Sequence, residues 1–221
     1  MQGKVIVVTG AQGALGQAAA AAARARGARV VGIDYAPAAD EELRFGGVDL
    51  SDEAATQAVM GQAHARAGRI DALLNIAGGF AWKLTEDADA ELWRTMFARN
   101  LLTTLNASRA ALAHLIESGG AIVNVGALAA LQAEAGKGAY AASKAGVHRL
   151  TEAMAEELKG KVRVNAVLPS ILDTPANRKD MPDADPRRWV APGHLADIML
   201  FLASDQARAI TGALVPVKGE V

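Results

Sequence analysis

The chain has no cysteine in 221 residues, which excludes disulfides, thiolate nucleophiles and cysteine-ligated metals. It has no excess of charge: 23 Lys and Arg stand against 24 Asp and Glu, for a net charge of -1. It therefore lacks the basic excess that marks nucleic-acid or anionic-membrane binders, and neither partner is expected. No apolar run approaches the roughly 20 residues of a membrane span, and no basic segment followed by an apolar one opens the chain; a soluble, cytoplasmic protein is expected. The four histidines, His64, His114, His148 and His194, are scattered through the sequence without ligand spacing, so no metal site is expected. Apolar material, by contrast, is plentiful at 51%, enough for the core of one large domain over residues 1–221, with no repeat or low-complexity linker to divide it.

The order of elements follows from pattern. KVIVVTG is a β-branched run closed by glycine and predicts a buried strand. GALGQAAAAAARARG has the composition of a helix that stops at Gly27. ARVVGID, FGGVDL, RIDALLN, GAIVNVG, KVRVNAVLP and ALVPV predict six further strands. Between them lie a helix entered through Ser51-Asp52-Glu53, a long helix from about Asp89 to Ser118 and another around Tyr140 to Leu158. A last helix has Pro192 near its start. Apolar strands alternating with helices, without in-out alternation, predict a single doubly wound α/β domain. Its parallel sheet of about seven strands is covered on both faces, and ligands bind beyond the strands' carboxyl ends.

At that end the first turn reads TGAQGALG. Gly10, Gln12, Gly13, Ala14 and Leu15 lie where backbone amides and a helix N-terminus would meet a pyrophosphate. Asp34 closes the second strand, placed to accept from an adenosine ribose and to repel a 2′-phosphate. NAD (NADH) is favoured over NADP, with Arg24 and Arg29 keeping the choice open. Asp49 and Leu50 end the third predicted strand, where an adenine edge could be read, although Asp49 equally suits a helix entry. Asn75, Ala77 and Gly78 belong to the NIAGG turn, whose small residues let a cofactor pass close to the backbone. Tyr140 and Lys144 are one helical turn apart and share a face.

TGxxxxxG after the first strand, the NxAG turn, Asn100 and YxxxK occur here in one order and spacing. Through them the chain resembles the short-chain dehydrogenases/reductases over essentially its whole length. The resemblance implies a Rossmann-like sheet, a nicotinamide cofactor and hydride transfer at a carbonyl or imine carbon. It implies Tyr140 as proton donor, and Lys144 as the group that lowers its pKa and holds the nicotinamide ribose. Asn100 would hold a water beside the lysine. Pro169, Leu172 and Thr174 would contact the nicotinamide side. A homodimer or homotetramer is also implied, with Ala139, Ala142, Ala145, Ala153 and Met154 as apolar material for its interface.

The chain departs from that pattern at three places. Ala14 replaces a glycine, Ile76 replaces the second asparagine of NNAG, and Ala127 stands thirteen residues before the tyrosine, where the family has serine. Ser143 is no substitute, since its position suits packing. Quinonoid dihydropteridine reductases also lack the serine. The AGGF, GALAAL and VLPSILDTPANRKDMPDAD stretches resemble theirs, which implies an NADH-dependent reductase of a conjugated imine or quinonoid small molecule. Phe80, Trp82 and Trp189 are candidates to stack on such a substrate. The run from Thr174 to Arg188 would be a lid tethered by Asn177, Arg178 and Lys179. A general alcohol dehydrogenase or ketone reductase, and a dinucleotide-binding regulator without turnover, are the alternative readings.

Overall fold

The computed structural model describes residues 1–38 and 43–221. Seven strands form one sheet: β1 (Val5–Thr9), β2 (Arg29–Ile33), β3 (Arg44–Phe45), β4 (Ala72–Asn75), β5 (Ala121–Val125), β6 (Arg163–Pro169) and β7 (Leu214–Val217). Their order is β3-β2-β1-β4-β5-β6-β7 and every pairing is parallel. The order reverses between β1 and β4, so the crevice for a ligand opens above Thr9 and Asn75, which are directly paired.

Helices cover both faces. α1 (Ala14–Ala25) and α7 (Pro192–Ala203) share a core with Ile6, Val8, Leu74, Val123 and Val167. On the other face α2 (Glu53–Ala67), α4 (Thr103–Ser118) and α5 (Gly138–Glu157) pack against Val7, Val31, Leu73, Ile122 and Val164. The strands are buried on both sides, which is why they read as continuous β-branched runs; each such side chain contributes about 1.5–3 kcal/mol.

Two predicted elements differ, and two predicted interface residues are buried. The third strand is the two residues Arg44 and Phe45, because Gly47 takes a φ of 71° and turns the chain out of the FGGVDL segment. The long helix is not continuous. α3 (Ala90–Phe97) passes through a π-helical turn at Ala98–Leu102 before α4 begins. Of the apolar residues assigned to a subunit interface, Ala139 and Met154 are each only 6% exposed and belong to the protomer's own core. The lid segment contains α6 (Pro175–Asp180) and a short 3-10 turn at Pro186–Arg188. No helix among the described residues is long and apolar enough to cross a membrane.

Candidate active site

Thr9 pins the loops that follow β1 and β4 together. Its Oγ1 accepts from the amides of Ile76 at 3.0 Å and Ala77 at 3.1 Å. Gly10, at φ 65°, passes so close to the second loop that a Cβ there would lie 2.9 Å from the Ala77 Cα. Gly13 is the N-cap of α1 and gives no side-chain cap, and the first turn holds no acid, so its amides remain available to an anion. A side chain at Gly16 would run into the Gly10 carbonyl, which fixes how tightly the loop folds over the helix. The loop keeps this shape although Ala14 replaces a glycine.

Asp34 lies just beyond β2. Its Oδ2 accepts from the Gln12 amide at 2.8 Å and its Oδ1 from the Ala36 amide at 3.0 Å. Gln12, Gln17, Arg24, Asp34, Arg44 and Phe45 line a cleft of ≈ 400 Å³ beside the glycine turn. Arg24 thus shares the cleft with Asp34, whereas Arg29 is turned away and donates to the Ala67 carbonyl at 3.0 Å. Asp49 takes the helix-entry role: its Oδ1 accepts from the Ser51 amide at 2.9 Å and from the Ser51 hydroxyl at 2.7 Å. Leu50 is 4% exposed within the core, so only its backbone remains to face a base.

The catalytic candidates converge from three elements. Tyr140 and Lys144 come from the first turns of α5, and Asn100 from the π turn. Asn100 is fully buried. Its Oδ1 accepts from the Gly79 amide at 2.9 Å, while its Nδ2 donates to the Gly79 carbonyl at 3.1 Å and to Ser143 Oγ at 3.0 Å. Ser143 in turn donates to the Tyr140 carbonyl at 2.7 Å, which is the packing role its position suggested. Gly78 is wedged into this group, since a Cβ there would lie 2.7 Å from Asn100 Oδ1 and 3.4 Å from Lys144 Nζ. Lys144 donates to the Val125 carbonyl at 2.7 Å.

Burial lowers the Lys144 pKa to about 8 and raises that of Tyr140 to about 12. The expectation that Lys144 depresses the tyrosine is therefore not met in the protein alone. The ammonium is directed at a carbonyl, and desolvation of the phenolate prevails. At neutral pH the pair is a phenol beside an ammonium, which is the proton-donating state.

Ala127 is 3% exposed and offers only a methyl group at the serine's place. Beside it lies a residue that the sequence reading passed over. His148, one turn beyond Lys144 on α5, is 1% exposed, and its Nε2 accepts from the Ala127 amide at 3.3 Å. Burial first, then the charges of Arg149 and Lys144, lower its pKa to about 4, so it is neutral at physiological pH. Its spacing of four from Lys144 was the available signal.

Of the aromatic candidates, Phe80 sits edge-on to Tyr140 with ring centroids 4.9 Å apart and is 55% exposed. Trp82 lies across Gly136, a position any side chain would clash with, so the 80–83 loop is docked onto the approach to α5. Trp189 does not join them, because it is only 7% exposed. In the lid segment Leu172 pairs with Val190 as an isolated bridge, and Thr174 caps α6 by accepting from the Asn177 amide at 3.2 Å. Asn177 and Arg178 do tether it: Asn177 Nδ2 donates to the Leu172 carbonyl at 2.8 Å, and Arg178 grips Asp173 at 2.6 and 2.8 Å. Pro169 closes β6 at the same sheet edge.

A doubly wound sheet with a glycine turn at its switch point, and a Tyr-Lys-Asn cluster beside it, defines a dinucleotide-binding oxidoreductase. Residues 4–185 match the short chain dehydrogenase family, and the chain belongs to it. It is 34% identical to meso-2,3-butanediol dehydrogenase of Serratia marcescens, across 98% of this chain and 93% of that one. Aldohexose dehydrogenase of Thermoplasma acidophilum superposes with a TM-score of 0.91 at 27% identity, covering 99% of this chain and 94% of that one. Carveol dehydrogenase of Mycobacterium avium, in complex with NAD, gives 0.88 at 25% identity, covering 99% and 97%. The family binds NAD(H) or NADP(H).

Proposed function

We propose that this protein is a nicotinamide-dependent oxidoreductase that interconverts a secondary alcohol and its carbonyl compound. The single observation that carries the reading is the convergence of Tyr140, Lys144 and Asn100 at the switch-point crevice, held by Gly79 and Ser143. Similarity to butanediol, aldohexose and carveol dehydrogenases supports an alcohol/carbonyl couple. The bound nicotinamide would supply or take the hydride. Gly10, Gln12, Gly13, Ala14 and Leu15 would hold the pyrophosphate, an assignment the uncapped start of α1 fits. Asp34 would accept from the adenosine ribose, which favours NAD(H), and Lys144 would hold the nicotinamide ribose. Ala77, Gly78, Pro169, Leu172 and Thr174 would flank the nicotinamide half.

In reduction Tyr140 gives its hydroxyl proton to the developing alkoxide, and Lys144 stabilises the phenolate left behind. In oxidation the phenolate must form first, so the oxidative rate rises with pH. A conjugated imine or quinonoid substrate, such as a dihydropterin, is the second reading. It is favoured by Ala127, which removes the family's oxyanion donor, and by the exposed face of Phe80 beside Tyr140. Self-association as a homodimer or homotetramer is also proposed, through the half-exposed Phe97 and Leu102 with Ala142, Ala145 and Ala153.

The test is NAD(H)- and NADP(H)-linked turnover of secondary alcohols, simple ketones and quinonoid dihydropterin, with Tyr140→Phe as control. Turnover of alcohols and ketones that falls at least ~1,000-fold in Tyr140→Phe is expected, with nucleotide affinity retained. Turnover confined to the pterin would establish the second reading. Tight nucleotide binding with no turnover of any substrate would replace both with a regulator.

A further inference from the structure

The fold brings together histidines that are fifty positions apart in sequence. His64, in the last turn of α2, and His114, near the end of α4, stack with ring centroids 3.8 Å apart and planes inclined by 8°. Glu117 follows His114 by three residues and so shares its helical face. The ligand atoms of His64, His114 and Glu117 all lie within 4.8 Å of one another. We propose that these three side chains form a zinc-binding site that fastens the end of α2 to the end of α4.

The chemistry of the donor set supports this. Two imidazoles and one carboxylate suit zinc and its borderline neighbours and not magnesium or calcium, which take oxygen ligands. A tetrahedral zinc holds its donors about 3.3 Å apart, so occupation needs the two rings to tilt out of their stack and Glu117 to swing inward. Both histidines are half-buried and Glu117 is exposed, so the movement asked of them is side-chain rotation at a partly open surface.

The surroundings are also suited to a cation. In a parallel sheet the crossover helices run the same way, so the carboxyl ends of α2 and α4 lie side by side and both carry partial negative charge. Ser118 Oγ donates to the Ile70 carbonyl at 2.7 Å, which ties the two helix ends together. Arg69, a cation that Glu117 influences, is already committed to Asp71 at 2.6 and 2.8 Å. These helix ends lie at the edge of the sheet opposite the nucleotide crevice, which makes the site structural rather than catalytic.

The experiment is calorimetric titration of zinc chloride into EDTA-treated, dialysed full-length protein, with thermal melts at matched zinc concentrations. One zinc per chain is expected, with a rise in melting temperature that increases with zinc concentration. His64→Gln and His114→Gln should each weaken binding at least ~10- to 100-fold and abolish the shift. Glu117→Gln should weaken it as well. His194→Gln, which alters a histidine outside the cluster, should bind like the parent, and magnesium should give no shift in any form. Equal zinc binding by the parent and all cluster variants, or no binding by the parent, would overturn the site. Alcohol dehydrogenase activity in EDTA-treated protein is a separate readout, so failure of the zinc site leaves the proposed reaction standing.

Discussion

On the proposed reading, substrate choice turns on Ala127. Its methyl occupies the place of a hydroxyl that would otherwise donate to a carbonyl oxygen as charge builds there, a contribution that can reach a few kcal/mol. The residue is nearly fully buried with its amide held by His148, so the backbone is already fixed and one added oxygen completes the donor set. Ala127→Ser is therefore expected to raise kcat for simple ketones by about tenfold, with little change in nucleotide Kd; steady-state kinetics on the variant and its parent checks it. At this scale the sequence was informative about identity and less so about environment. Tyr140, Lys144 and Asn100 could be placed from spacing and resemblance, and the structure gathers them. The raised tyrosine pKa and the Ala127–His148 contact depend on what is packed around those residues, which no spacing contains. Asp49, Leu50 and Trp189 show the same gap. Asp49 bonds the neighbouring Ser51 amide, and Leu50 and Trp189 are buried, details of packing that no spacing shows.

At the scale of elements, the π turn at Ala98–Leu102 decides where Asn100 points. One residue more than an α-turn holds rotates Asn100 inward, toward Gly79 and Ser143. The hydroxyls of Thr103 and Thr104 satisfy the carbonyls thus displaced, donating to Arg99 at 2.7 Å and to Asn100 at 2.8 Å. A composition pattern sees only helix-forming residues from 89 to 118, since a π turn has the same propensities as its neighbours. That is why the break was not legible while six of the seven strands were, the short β3 being the exception. The Gly78 loop is matched closely to this turn. Gly78→Ala would push against Asn100 Oδ1, an atom already held by the Gly79 amide and unable to yield freely. A loss of about 1–3 kcal/mol in stability is expected, with a fall in kcat/KM of at least tenfold. Denaturant melts and kinetics measure the two separately.

For the whole molecule, the same buried groups set the pH range of stability. His148 has a folded pKa of about 4 against an ordinary imidazole value of 6.5, so the unfolded chain binds more protons between those limits. The His148 contribution to stability is full above pH 6.5 and is lost as pH drops toward 4, by up to about 3 kcal/mol. Lys144, lowered from 10.5 to about 8, works in the same sense across that alkaline window, where stability rises with pH. Tyr140, raised from 10 to about 12, reverses the trend above pH 10. Urea midpoints across the acid limb should flatten in His148→Gln, which keeps an acceptor for the Ala127 amide and loses the titration.

All seven strands point the same way, so one rim of the molecule carries the candidate nucleotide and substrate groups and the other carries turns, helix ends and the proposed zinc cluster. Loops on the first rim can be exchanged, lengthened or diversified while the second keeps the scaffold upright. For a protein engineer this divides the sequence into two libraries that can be searched independently.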